Sequence, residues 1–165
     1  MKWQEVCEHR DLQNLPFKIE LNEQGKVVMS PVKVYHSAFQ AKISSLLDRL
    51  TGGYVLTECA IATRKGTKVT DVAWASRERF KKIIHEVECS IAPEVCIGIL
   101  SSANTSDEID EKKNLYFEKD CKEVWICSKR GKVTFYTHEG KMDKSNLIPG
   151  FPTEIDLFTE TGSVR

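Results

Sequence analysis

No apolar run in the sequence approaches the roughly 20 residues of a membrane-spanning helix, and Met1-Lys2-Trp3-Gln4-Glu5 does not read as a signal peptide. Neither charge is in excess, since 24 Lys and Arg stand against 24 Asp and Glu. A protein that coats nucleic acid with its whole surface carries a clear basic surplus, so that class is excluded and any nucleic-acid contact has to be local. The six cysteines form no CxxC, and none is followed by a histidine at zinc-ligand spacing. There is no H-E-x-x-H, P-loop, G-x-S-x-G or G-x-G-x-x-G, so zinc protease, NTPase, α/β-hydrolase and Rossmann readings lose support. Internal repeats, linkers and low-complexity segments are absent too.

What is present suits one ordinary globular domain over residues 1–165, with 41% hydrophobic and 29% charged residues. A chain of this length buries about 70% of its unfolded surface and needs no disulfide or metal staple. Cysteines lie inside apolar runs, as in Val95-Cys96-Ile97 and Trp125-Ile126-Cys127. They are expected to be reduced, mostly buried thiols of a cytoplasmic protein.

Apolar periodicity places the elements. Residues 2–14 predict a short helix ending before Pro16. Phe17-Lys18-Ile19-Glu20-Leu21 alternates as a half-buried strand does, and Asn22-Glu23-Gln24-Gly25 turns it into a hairpin with Lys26 to Met29. Tyr35, Phe39, Ile43, Leu46, Leu47 and Leu50 form the stripe of a long helix, stopped by Gly52-Gly53. Strands follow at Tyr54 to Thr63 and Lys68 to Ala75, around the turn Arg64-Lys65-Gly66-Thr67. Ser76 predicts the N-cap of a helix over 77–87. Val95 to Leu100 is apolar throughout, as a strand buried on both faces is. A charged helix at 106–119, strands at Glu123 to Cys127 and Lys132 to Thr137, and a last strand at Glu154 to Phe158 complete the list. Strands alternating with helices after a hairpin indicate an α/β (α+β) fold, a mixed β-sheet flanked by helices.

Among candidate site residues, Asp71 lies within a strand, where carboxylates are unusual. Alternation puts it on a face with Val69, Ala73 and Ala75, where a carboxylate needs a partner cation or a metal. Glu20 interrupts Ile19-Glu20-Leu21 in the same manner, with a solvent-facing position as the plainer reading. His36 begins the long helix. Lys112 sits on a helix with charges of both signs, where Glu108–Lys112 is a plausible surface pair. The basic segments are Arg64-Lys65-Gly66-Thr67-Lys68 and Arg77-Glu78-Arg79-Phe80-Lys81-Lys82. Either can contact phosphate, but solvated turns and helix faces are the commoner explanation of such runs.

Together these segments resemble a known pattern. Ile19-Glu20-Leu21, Gly25-Lys26-Val27-Val28-Met29-Ser30-Pro31 and then His36 are similar to the opening of the Putative restriction endonuclease family, a branch of the PD-(D/E)XK nuclease superfamily numerous in cyanobacteria. Thr70-Asp71-Val72-Ala73-Trp74 resembles the family's "PD" strand with Thr for Pro, and Ala92 to Ser101 its central strand. Glu111-Lys112-Lys113-Asn114-Leu115-Tyr116 and Lys122-Glu123-Val124-Trp125-Ile126 resemble its "K…LY…EYWIV" helix and strand, and Ile148-Pro149-Gly150-Phe151 a segment near its C-terminus. The likeness runs from about 3 to 158. It implies a restriction-endonuclease-like core, DNA as substrate and a homodimer. It also implies a site in which Asp71 and Glu20 hold Mg²⁺ or Mn²⁺ and Lys112 steadies the charged transition state.

One position departs from the pattern. The family's central strand reads like "VVEVLS", with a metal-binding glutamate, and Gly98 stands there in this chain. Glu94 shares the strand face but lies about 13 Å away at ~3.3 Å per residue; a carboxylate of the next helix, such as Glu108 or Glu111, is a candidate replacement. Three functions therefore compete: a Mg²⁺-dependent DNA endonuclease impaired at Gly98, a catalytically inactive nuclease-fold binding or assembly module, and an interaction domain unrelated to nucleases.

Overall fold

The computed structural model describes residues 1–158. A short helix α1 (Trp3–Glu8) leads to a hairpin of β1 (Phe17–Leu21) and β2 (Val27–Pro31). The long helix α2 (Val34–Leu50), β3 (Tyr54–Thr63), β4 (Gly66–Ala75) and α3 (Arg77–Ile83) follow. Then come β5 (Val95–Ile99), α4 (Ser106–Glu118), β6 (Glu123–Cys127), β7 (Val133–Thr137) and β8 (Gly140–Met142). The last six strands make one sheet in the order β3-β4-β5-β6-β7-β8, and β1-β2 form a separate two-stranded sheet packed against β4. β5 and β6 are parallel, joined through α4; the other neighbours are antiparallel. This is the mixed α/β (α+β) architecture that the alternation of periods indicates.

The sheet is covered on both faces, and β5 shows why its sequence is apolar throughout. Val95, Ile97 and Ile99 face one core with Phe39, Ile43 and Leu47 of α2, Trp125, Phe135, Ile148, Phe151 and Ile155. Cys96 faces the second, with Ile83 of α3, Tyr116 of α4, Cys121 and Val124. Burying a side chain of this kind contributes roughly 1.5–3 kcal/mol. α2 ends where the sequence places its stop: Gly53 turns at φ +82°, and a side chain there would run into Ala75 O and the Trp74 indole. All six cysteines are free, four of them buried and only Cys7 exposed. No helix among the described residues is long and apolar enough to cross a membrane.

Four boundaries differ from the expectations. α1 stops at Glu8 because His9 is extended and its ring accepts a hydrogen bond from Asp11 N, starting a separate 3₁₀ turn at Arg10–Leu12. α3 ends at Ile83, short of residue 87, because the chain is drawn onto β3: Cys89 N donates to Ala60 O at 2.7 Å and Ala62 N to Cys89 O at 3.0 Å. β8 is a strand too short and polar to show a period. The segment from Glu154 to Phe158 forms a single bridge, Lys132 with Glu154, in place of a strand.

One buried carboxylate organises the C-terminal segment. Glu123, 1% exposed, accepts from Trp125 Nε1 (2.8 Å), Ser145 Oγ (2.6 Å), Asn146 N (2.7 Å) and Leu147 N (3.1 Å). Among the described residues no lysine or arginine side chain bonds to it, and it anchors residues 145–148 on the sheet. Glu123→Gln places an amide NH₂ against these donors and should lower stability by about 2–3 kcal/mol. A urea titration with an unchanged m-value is the check.

Candidate functional site

The site forms where β4 and β5 part. Their backbone pairing ends at Val72 with Ile97. Beyond it, side chains take over the bonding: Thr70 Oγ1 donates to Ile97 O at 3.1 Å, and Ile99 N donates to Asp71 Oδ2 at 2.7 Å. Asp71 is therefore 3% exposed and fixed to the end of the central strand, which explains how a strand interior tolerates a carboxylate.

Its other oxygen meets two side-chain nitrogens. Lys18 Nζ on β1 lies 3.0 Å from Asp71 Oδ1, and His36 Nε2 on the first turn of α2 lies 3.1 Å from the same atom. Gln40, one turn further along α2, donates to Asp71 O and to Glu58 Oε1, each at 2.8 Å. Next to this group Glu20, on the same face of β1 as Lys18, receives Lys112 Nζ of α4 at 2.9 Å (Oε1) and 2.8 Å (Oε2), and Val69 N at 2.7 Å. β1, α2, β4 and α4 thus each place a side chain in one cluster. Glu20, Asp71, Lys112 and His36 all lie within it. Lys18 is the member that the sequence reading missed; its alternation with Glu20 along β1 is the signal that marks it.

The electrostatics follow from this crowding. Burial alone would raise the Asp71 carboxyl, but the His36 hydrogen bond and the Lys18 charge outweigh it and hold the group well below the usual carboxylate range. Burial likewise works to raise Glu20, and Lys112 and Lys18 overcome it and lower it. Lys18 is raised: burial opposes its charge, and Asp71 and Glu20 prevail. Lys112 is lowered by burial and by Lys18's like charge, against the pull of Glu20. His36 Nδ1 is buried without a partner among the described residues.

The remaining candidates lie elsewhere. Gly98 is half-buried on β5, opposite Ile126 of β6. One step past the last ladder pair, Val72 with Ile97, brings it level with Asp71. A Cβ built on Gly98 meets only Ile126 Cδ1, at an ordinary 3.6 Å, and its φ is not positive, so the fold does not demand glycine there. Glu108 closes the capping box of α4 with Thr105, Glu111 pairs with Lys65, and Glu94 accepts from Ser76 N at 3.1 Å. None of the three carboxylates takes the place beside Gly98. In the β3–β4 turn Arg64 pairs with Glu118 at 3.0 Å, and Lys68 donates to Leu21 O at 3.5 Å. Arg79, in the second basic run, is buried against Ala92 O and Asp120.

Mg²⁺ takes six oxygen ligands, usually one or two carboxylates with waters and substrate phosphates making up the rest, so a carboxylate oxygen has to be free to face it. Asp71 has both oxygens engaged by Lys18, His36 and Ile99 N, and Glu20 has both engaged by Lys112 and Val69 N. Two carboxylates and two ammonium groups already cancel. Among the described residues no group of three or more His, Cys, Asp or Glu is placed to hold a metal ion. As they are paired here, Asp71 and Glu20 leave no carboxylate oxygen free for Mg²⁺ or Mn²⁺.

Comparison with known proteins gives a consistent picture. The model of a family described as "Putative restriction endonuclease" matches residues 3–157. The chain is similar in fold to the crystal structure of a "putative nuclease belonging to DUF820" from Anabaena variabilis. The TM-score is 0.64 and the identity 17%, over 86% of this chain and 83% of that one. No curated protein matches it.

Proposed function

The chain belongs to the Putative restriction endonuclease family, and we propose that it is a nuclease-type protein that engages DNA at the Glu20–Asp71–Lys112 cluster, with phosphodiester hydrolysis held back by Gly98. The observation that carries this reading is the electrically closed cluster beside an unfilled side-chain position: Gly98 is level with Asp71, and a Cβ there meets only Ile126 Cδ1 at an ordinary 3.6 Å. Lys112 is the group suited to meet a phosphate. Its side chain is 37% exposed, against 16% for Lys18, so its ammonium can exchange Glu20 for a phosphate oxygen. Lys18 and His36 hold Asp71 in place, and Gln40 fixes the strand beneath it. Without a third carboxylate no step is assigned to a metal. The working unit is one domain over residues 1–165, a cytoplasmic homodimer, because symmetric pairs are the commonest soluble assembly; light scattering should read twice the chain mass.

The test is binding and cleavage measured side by side. The wild type should retard duplex DNA and leave supercoiled plasmid intact in Mg²⁺ or Mn²⁺, and calorimetry should detect no Mn²⁺ affinity. Robust plasmid cleavage that Asp71→Ala abolishes would overturn the held-back step and make the protein an active endonuclease. A wild type that binds no DNA defeats the substrate assignment.

A further inference from the structure

Two hairpin turns carry clusters of cations, and their surroundings differ. In the β3–β4 turn, Arg64 and Lys65 are neutralised by Glu118 and Glu111 of α4. In the β6–β7 turn, Ser128-Lys129-Arg130-Gly131-Lys132, all three cations are exposed, and no ion pair to them is formed among the described residues. Glu154 lies across the backbone bridge from Lys132 and Asp110 lines the adjoining groove. Asp110 pairs with Lys113 at 3.0 Å instead.

The turn is held in a fixed shape. Gly131 adopts φ +91°, where a side chain would collide with Ile155 O. Ile155 N donates to Gly131 O at 2.7 Å, Val133 N to Thr153 O at 2.8 Å and Lys132 N to Ser128 Oγ at 3.1 Å. Charges presented on such a scaffold need little ordering when they bind.

Register brings this turn to the side of the site. β5 and β6 are parallel, with Gly98 opposite Ile126 and Ile99 opposite Cys127, so both strands end together. The crevice outside the carboxyl ends of such strands is the general ligand-binding location of open α/β sheets. A groove of about 240 Å³ runs between α4 and the turn, lined by Ser128, Lys132, Thr134, Tyr136 and Ile126. Ile126 is also the residue that a side chain at 98 would touch. Lys113 Nζ lies 3.7 Å from the centroid of the Tyr136 ring, and its charge is already matched by Asp110.

We propose that Lys129, Arg130 and Lys132 grip the phosphate backbone of duplex DNA from the mouth of this groove, on the flank of the site that holds Gly98 and Asp71. This rests on the DNA assignment above. The chain's zero net charge is no obstacle, because three uncompensated cations on one turn supply the local positive field. The β3–β4 turn, its charges matched by α4, takes no part.

The experiment is fluorescence anisotropy of a short labelled duplex with wild type, the triple variant Lys129→Ala/Arg130→Ala/Lys132→Ala and the control Arg64→Ala/Lys65→Ala, over about 50 to 200 mM salt. Circular dichroism verifies that each variant is folded. The triple variant should bind on the order of 10²-fold more weakly at the lowest salt, its log–log salt slope shallower by about 0.9 for each phosphate contact removed. The control should match the wild type. A folded triple variant with wild-type affinity and slope overturns the proposal, as does a loss confined to RNA of the same sequence. If the wild type binds no duplex at all, the DNA assignment fails and this inference with it. Failure of the turn alone is recognised by a wild type that binds and a triple variant that binds equally.

Discussion

Gly98→Glu is expected to gain both Mn²⁺ affinity and DNA cleavage, the latter on the order of 10²-fold or more above the wild type, as adding a missing charged ligand to a cation site should. The backbone accepts the change: φ is not positive, and the first side-chain atom meets only Ile126 Cδ1 at 3.6 Å. Glycine inside a strand is itself unfavourable, so the substitution also improves local β-propensity. The new carboxylate joins Asp71 level with it across the parting strands and brings the cluster to three carboxylates against Lys18 and Lys112. That net negative charge is what a divalent cation compensates. Without metal the variant should be less stable than the wild type, because a half-buried carboxylate lacks a partner. Added Mn²⁺ at about a hundred times its Kd should then stabilise it by about 2.7 kcal/mol. Thermal melts with and without Mn²⁺, calorimetry and plasmid relaxation read the three effects separately, and Asp71→Ala in the same background should abolish the last two. A folded variant that neither binds Mn²⁺ nor cuts would show that a carboxylate at 98 is not what the site lacks, and the held-back step would lose its explanation.

The fold was largely legible because it rests on periodicity. Tyr35 to Leu50 shows its stripe, and Val95 to Leu100, apolar on every residue, divides between two cores as a central strand should. No local rule tells that Cys89 is pulled onto Ala60 and ends α3 early. α1 is cut short by a local contact, the His9 ring on Asp11 N, which apolar periodicity does not register. The cluster is less legible still, since Lys18 and Asp71 are 53 residues apart and Glu20 and Lys112 are 92 apart. Spacing along the chain carries no information over such separations. A resemblance to a family named Glu20, Asp71 and Lys112 together, whereas Lys18 was visible only as the residue two before Glu20 on an alternating strand. The pairing of Lys65 with Glu111 and of Arg64 with Glu118 was equally hidden.

Lys18→Met should destabilise the protein by about 3–5 kcal/mol, the usual result of removing one partner from a buried ion pair. The Asp71 side chain is 4% exposed and Lys18 16%, so water cannot replace the lost ammonium. Methionine keeps most of the aliphatic stem, which confines the effect to the charge. The pH profile identifies the cause. In the wild type, Asp71 and Glu20 titrate below their unfolded values. The stability they contribute is therefore complete above about pH 4, near the unfolded carboxyl pKa, and is lost as pH falls below that value toward the folded ones. In Lys18→Met the depression of Asp71 is smaller, so the loss of stability between about pH 4 and pH 2 should be shallower than in the wild type. Lys18→Met/Asp71→Leu should recover only part of the deficit at neutral pH, because leucine removes the unpaired charge but leaves Ile99 N without its acceptor, and a double-mutant cycle reads the coupling. Urea denaturation across pH measures all three. A Lys18→Met protein within about 1 kcal/mol of wild type, the range of a solvent-screened pair, would mean that Lys18 does not neutralise Asp71. Asp71 would then be free to hold a cation, and the metal-free account of the cluster would have to be abandoned.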